Sequence, residues 1–541
     1  MLSQRYADSK LNIGLMAASA FFLAAFAATV AAGWFKEPNA DVVDLTQQKA
    51  DKNAETRVYY GVGSCRSCHL RGFEDPDTFI CRGTEVAIWQ PEDKHALAFK
   101  VLGDERAQRM GKILGWDVKK KKECLVCHSV WVDEKPELVS KAGNFSHEEG
   151  VSCVACHGPD VVVLPGKDKT PKLGWLDMHG SQNQQFREAW RKLARTYKHD
   201  EYGMSDMWDP VKRTQLCASC HIGNVEQGKV VTHEMYAAGH PPLPSFEVAT
   251  FSNQMPRHWQ YLGEKDKKVR DQLKFRPTEV ELEETHLLAL GGLVGFREYL
   301  QMLSSHTQSK NWPEFADFSC YACHHDLKSK SWRQERGYFG KPGRPPLKEG
   351  TTALVELGLF HAAANADEAQ KLIADFQARY AALQEAVDSQ PFGQPAAVKQ
   401  ESDKLIGWID TQVKRIQDRI ALGEKKGGYS ADASGNLLGH LLKSRSKFLD
   451  YDSARQQTWA LQTLYLDTAS RHDMATRKKL ADTMKTQTAW KDLDDYLRLT
   501  LPPGQTKIET SLPLSMERAG QYEPRQYFQN LDAVLKQLKT P

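Results

Sequence analysis

Ten of the chain's eleven cysteines fall in one repeated pentapeptide: Cys65-Arg-Ser-Cys68-His69, Cys124-Leu-Val-Cys127-His128, Cys153-Val-Ala-Cys156-His157, Cys217-Ala-Ser-Cys220-His221 and Cys320-Tyr-Ala-Cys323-His324. A single C-x-x-C-H arises by chance in roughly one chain per hundred at this cysteine and histidine content, so five occurrences are not accidental. The spacing has a chemical reason. Two thiols separated by two residues can each form a thioether to one vinyl group on the edge of a haem, and the next residue then places an imidazole beneath the iron. Cys65, Cys68, Cys124, Cys127, Cys153, Cys156, Cys217, Cys220, Cys320 and Cys323 are therefore expected to attach five c-type haems. His69, His128, His157, His221 and His324 are expected as proximal ligands. Structural zinc would need paired C-x-x-C units converging on one ion, and a redox dithiol would not carry a histidine at the fifth place every time.

Eighteen histidines leave thirteen after the proximal five. His361, His440 and His472 fall in a cysteine-free tail and read as surface or core residues. Ten others, His95, His147, His179, His199, His233, His240, His258, His286, His306 and His325, compete for the sixth positions. Local context ranks them. His95 follows Pro91-Glu-Asp, a plausible first helical turn. His179 precedes Gly180 and has Trp175 nearby to stack on a porphyrin. His233 and His240 stand seven apart, and His240 sits in Gly-His-Pro-Pro, where Gly239 permits close backbone approach and the prolines stiffen the loop. His147, six residues before Cys153, takes the fifth place as a distal candidate, with His286 as its substitute. His325 directly follows a proximal ligand and cannot reach the other face of the same iron. Cys81 has no thiol left to pair with, and reads as a buried small residue, a sulfur ligand to haem or an intermolecular disulfide partner.

These residues need elements to hold them. Leu11 to Phe35 is an uncharged run of 25 residues, long enough for a hydrocarbon core that needs about 20. Arg5 and Lys10 precede it, so the positive-inside bias leaves the N-terminus in the cytoplasm and exports everything after Lys36. Residues 1–35 are thus expected as a transmembrane anchor, with a cleaved signal peptide as the rival reading. Residues 36–60 form a polar tether and 61–335 a loop-rich pentahaem domain. Residues 336–350 are a Gly/Pro linker by composition. Beyond it Leu372, Phe376, Tyr380, Leu383 and Val387 recur at helical spacing, as do Ile406, Ile409, Val413, Ile416 and Ile420, so 351–541 reads as a haem-free helical bundle. The fold class expected is mainly α.

Composition excludes several alternatives. The 541 residues are 41% hydrophobic and 26% charged, which is globular rather than disordered. A net charge of +3 with no arginine-rich arm gives a nucleic-acid partner little electrostatic support.

The run Cys65 to His69, Trp89, Lys94-His95-Ala96, Glu123 to His128 and Gly150-Val-Ser-Cys153 to Pro159 resembles the cytochrome c-554 and c-prime family of multihaem cytochromes. Gly203-Met204, Asp209-Pro210, Cys217 to His221 with Gly223, His233 and Ala238-Gly239-His240-Pro241 are similar to its larger members. The resemblance covers about residues 60 to 325. It implies an exported electron carrier with haems in close, alternately parallel and perpendicular pairs, and distal roles for His95 and His179. The small family members have four haems, whereas this chain adds Cys320 to His324, the anchor and the tail. One family haem is typically five-coordinate.

The function expected is a membrane-anchored cytochrome on the periplasmic side of a bacterial inner membrane, relaying electrons between redox proteins, alone or as a subunit of a respiratory or photosynthetic complex. The alternative is a reductase or oxidase of a small nitrogen or sulfur oxyanion at one five-coordinate haem. No C-x-x-C-K variant is present, which removes the lysine-ligated active haem of pentahaem nitrite reductases. Replacing residues 1–35 by a cleavable leader should move the protein from the membrane fraction to the soluble one. Continued sedimentation with membranes would sink the anchor.

Overall fold

Each C-x-x-C-H pentapeptide coils. In the computed structural model four of them end or fill α-helices, namely α1 (Val62–His69), α3 (Lys122–His128), α4 (Cys153–His157) and α6 (Pro210–His221), and the fifth opens a 3₁₀ turn at Cys320–Ala322. A helical turn sets residues i and i+3 on one face with i+4 beside them, so both sulfurs and the imidazole point to the same side. In α6 Pro210 occupies the first turn, and the Asp209 side chain accepts from the Val211 and Lys212 amides. Both devices fix where the helix starts, and hence where its distal end delivers Cys217, Cys220 and His221. Shorter helices supply other histidines: α2 (Glu85–Glu92) precedes His95, α5 (Trp175–His179) ends on His179, and α7 (His233–Ala238) begins on His233.

The structure describes residues 55–72, 80–132, 145–163, 174–181, 183–328, 331–335, 341–444, 450–499 and 512–538. The expected anchor at Leu11 to Phe35, most of the tether, and Gly337 and Gly340 of the linker lie outside them. No helix among the described residues is long and apolar enough to cross a membrane. The architecture is mainly helical, and the named strands of the described residues form one two-stranded antiparallel sheet, β1 (Glu55–Val58) with β2 (Asp160–Val163), Glu55 opposite Val163. It ties the entry of the chain to the segment that follows the third motif.

Close backbone approach matters at Gly150. Its φ of +70° lies in the left-handed region, and a Cβ there would run into the His95 carbonyl oxygen. The next amide, of Val151, donates to that same carbonyl at 2.9 Å. The strand of chain leading into the third motif is thereby pinned to the backbone that carries His95.

The tail forms the helices its periodicity predicts. Phe376, Leu383 and Val387 are buried on α10 (Ala366–Asp388), and Ile409, Val413 and Ile416 on α11 (Pro395–Ala421). The helical pattern at Glu281 to Leu303 forms α8 (Glu283–His306), but the pattern does not foresee its burial on nearly all sides, which marks a helix at the centre of a core. It packs against α6 on one flank and against α11 and α9 (Val355–Ala362) on the other. Gly358 of α9 lets the Leu293 side chain into the space its missing Cβ leaves. One core joins Val248, Leu287 and Leu288 to Leu437, Trp459 and Leu493. A second joins Val211, Leu290 and Phe296 to Phe376, Leu405 and Ile416. Both draw residues from either side of 336–350, and residues 55–541 form one compact unit. By contrast, the first three motifs lie among small clusters such as Val62, Val86 and Trp89, or Leu102, Val118 and Leu125.

Leu293 is fully buried at the crossing of α8 and α9. Leu293→Ala should destabilise the protein by about 2–5 kcal/mol. Because the cores are shared, helix content and the haem Soret spectrum should change together in one thermal transition at a lower midpoint. Two separate transitions would contradict that coupling.

Candidate metal centres

Four of the five motif histidines face a second histidine from elsewhere in the chain. His69 meets His179 with their Nε2 atoms 3.4 Å apart and ring centres at 5.7 Å. The ring centres of His221 and His95 are 6.2 Å apart, those of His128 and His240 6.4 Å, and those of His324 and His233 6.3 Å. Metal–imidazole bonds of about 2 Å on opposite faces of one ion put the two nitrogens about 4 Å apart and the ring centres about 6.3 Å apart. Three pairs stand at that separation, and a metal at the fourth would part its rings by roughly half an ångström.

The rings are also oriented as ligands need to be. Nδ1 of His69 is bonded to Glu85 Oε2 at 2.7 Å and that of His95 to Asp93 Oδ1 at 2.9 Å. Nδ1 of His128 donates to the Ala98 carbonyl at 2.7 Å, and that of His240 to the Pro241 carbonyl at 2.7 Å. Engaging Nδ1 fixes the tautomer and turns the Nε2 lone pair outward. Burial does the rest: it pulls His157, His221 and His240 down to about 4 and His179 to about 3, keeping each a neutral donor. At His69 burial acts the same way, but bonds to Cys81 and Glu85 outweigh it and lift the group to about 10.

The third motif is arranged differently. His157 is half-buried, its Nδ1 is buried without a hydrogen-bond partner, and the charged group acting on it most strongly is His258. His199 also neighbours it, with Nδ1 at 2.5 Å from the Met204 carbonyl oxygen. The two remaining distal candidates are not brought to a motif histidine. His147 lies against Trp131 and Phe145 at 5.5 and 5.7 Å. His286 is buried on α8 with its Nδ1 3.0 Å from His361 Nε2, beside Tyr429, so its position serves the core of the tail. His306 is bonded to Asp317 at 2.7 Å, and His325 to the Asp326 carbonyl at 2.7 Å. His258 has no sequence signal of its own. It belongs to the surplus, and only folding brings it to His157.

The sulfurs reveal how the motifs neighbour one another. The thiols of Cys65 and Cys153 neighbour each other, and so do those of Cys127 and Cys220. Cys156 lies close to Cys217 and Cys220. Helix α7 links the second and fifth motifs: His233 at its start faces His324, and His240, two residues past its end, faces His128. Tyr236 between them touches His240 and neighbours Cys320. Cys68 and Cys323 are exposed, whereas the other eight motif cysteines are half-buried.

These residues fit covalent haem: paired thiols on one helical turn, and imidazole rings paired at iron-sized separation. Haem supplies one-electron chemistry when bound. The chain's own part is to fix the axial nitrogens and their electron density through the groups at Nδ1. Carboxylates at Nδ1 make the ligand more electron-rich and favour the ferric state. Glu85→Gln and Asp93→Asn should therefore each raise the midpoint potential of one haem in a spectroelectrochemical titration, with haem content unchanged. A lowered potential would contradict the assignment of these carboxylates.

No curated protein and no solved structure gave a match to the chain. Residues 64–158, which hold the first three motifs, match the family described as cytochrome c554 and c-prime. That stretch belongs to the cytochrome c554 and c-prime family, and the cofactor of such a domain is covalently bound c-type haem.

Proposed function

We propose that the chain binds five c-type haems and relays electrons among them on the periplasmic side of a membrane, held there by residues 11–35. In motif order the sixth ligands are His179, His240, His258, His95 and His233. The observation that carries this reading is the set of imidazole pairs at iron-sized separation. Four of the five motif histidines thereby face a second imidazole from within the chain, which favours electron transfer over substrate binding as the task.

The neighbouring sulfurs give the relay an order. The proximity of Cys65 to Cys153, of Cys156 to Cys217 and Cys220, and of Cys220 to Cys127, followed by the link through α7, supports a path from site 1 to 3, 4, 2 and 5. Its two ends are the sites with an exposed cysteine. At site 5 the half-exposed Phe315 ring rests edge-on against His233, 5.5 Å away. These ends are where donor and acceptor proteins would approach, whether in free encounter or within one complex. Each ferric haem with both propionates ionised adds about −1, so five carry the chain from +3 to about −2 and favour basic partner faces.

Low-temperature EPR of the oxidised protein, with a pyridine haemochrome count, tests this reading. Five haems per chain, all low-spin, are expected. One high-spin haem shifted by nitrite or nitric oxide would replace the carrier by an oxyanion-transforming enzyme, and a count below five would overturn at least one site.

A further inference from the structure

We propose that Cys81 is a sulfur ligand to the haem of site 1, exchanging with His179 at the iron face opposite His69. The proposal rests on the reading of site 1 as a covalent haem. Ligand atoms of His69, Cys81 and Glu85 all lie within 4.8 Å of one another, and both of the other side chains act on the His69 ring. Glu85 holds Nδ1 at 2.7 Å. The Nε2 of His69 faces His179 Nε2 at 3.4 Å. Cys81 and His179 therefore both border the ring that would hold the iron.

A second observation concerns charge. Lys198 is only 3% exposed, and none of the described carboxylates pairs with it. Its ammonium stands over Trp190, 5.2 Å from the ring centre, and acts on both His179 and Cys81. Lys265, 5% exposed, also acts on Cys81, and donates to the carbonyl of Ile80, the preceding residue, at 2.6 Å. A buried ammonium demands an anion, and a thiolate on iron is one. Ligand preference then follows the iron. Ferric iron gains more from an anionic sulfur, and ferrous iron from a neutral imidazole. On oxidation the ferrous iron passes one electron to the haem of site 3, the Cys81 S–H bond gives its proton to solvent, the Fe–S bond forms and the Fe–His179 bond breaks. Reduction reverses each step.

The test uses the full-length holoprotein. In oxidised wild type, EPR should show one low-spin haem with the compressed g-spread of thiolate ligation beside four bis-imidazole haems. Cys81→Ser should convert it to a fifth bis-imidazole haem and raise its midpoint potential, while His179→Ala should retain the sulfur signature. In the wild type, iodoacetamide should alkylate Cys81 roughly tenfold more slowly in the oxidised than in the reduced folded protein. Five haems per chain with identical spectra and potentials in wild type and Cys81→Ser would overturn the proposal and leave the haem reading intact, with Lys198 paired to a propionate instead. If the variant fails to fold, equal alkylation rates in the two redox states of the wild type would overturn it. Loss of the haem at Cys65 and Cys68 in the wild type would instead overturn the reading on which it rests.

Discussion

Two imidazole nitrogens held about 4 Å apart across a shared ion form a constraint that hydrophobic packing alone does not supply. Nothing in an apolar core asks for a gap of that size between two neutral rings, and burial of their nitrogens without a partner is costly. Yet three pairs stand at ring separations of 6.2 to 6.4 Å. The surrounding structure reads as the means of keeping them there. The motif helices aim the proximal ring, carbonyls and carboxylates at Nδ1 fix its tautomer, and short helices or tight loops from distant sequence return the second ring.

This also explains the uneven distribution of core. The first three motifs lie among clusters of only a few apolar side chains, too little for independent stability by the usual area arguments. A porphyrin is a large apolar body, and with one tethered at each motif the cofactors become core material for the region that lacks its own. The second half inverts the arrangement. There α8 is wrapped by protein on nearly every side, and the same helix backs α6, which carries the fourth motif. The haem-free tail is thus continuous in packing with the haem-bearing part rather than appended to it.

How much of this the sequence made legible differs by element. The motifs and the helical tail are local patterns, five residues or a 3.6-residue period, and local patterns survive without the fold. His95, His179, His233 and His240 were ranked by neighbours that bear on backbone shape, Pro91, Gly180, Gly239 and Pro241, and the structure brings each beside a motif histidine. His147 failed that criterion because proximity in sequence to Cys153 says nothing about which side of the ring a residue reaches, and Trp131 and Phe145 hold it. His258 stood unranked among the ten because its approach to His157 depends on a chain reversal a hundred residues long. His286 stood as the substitute for His147, within the helical pattern Glu281 to Leu303. It is buried because α8 has no solvent face there, a fact decided by α9 and the tail. The linker at 336–350 was read from glycine and proline content, which marks irregular backbone but not a break in packing: Leu347 bridges to Phe318, and both cores run past it.

One feature of α7 reaches beyond ligation. A six-residue rod with His233 at its head and His240 just past its foot makes two centres share one mechanical part. Whatever displaces the rod moves both histidines, so a group seated at either motif would help to position the rod for the other.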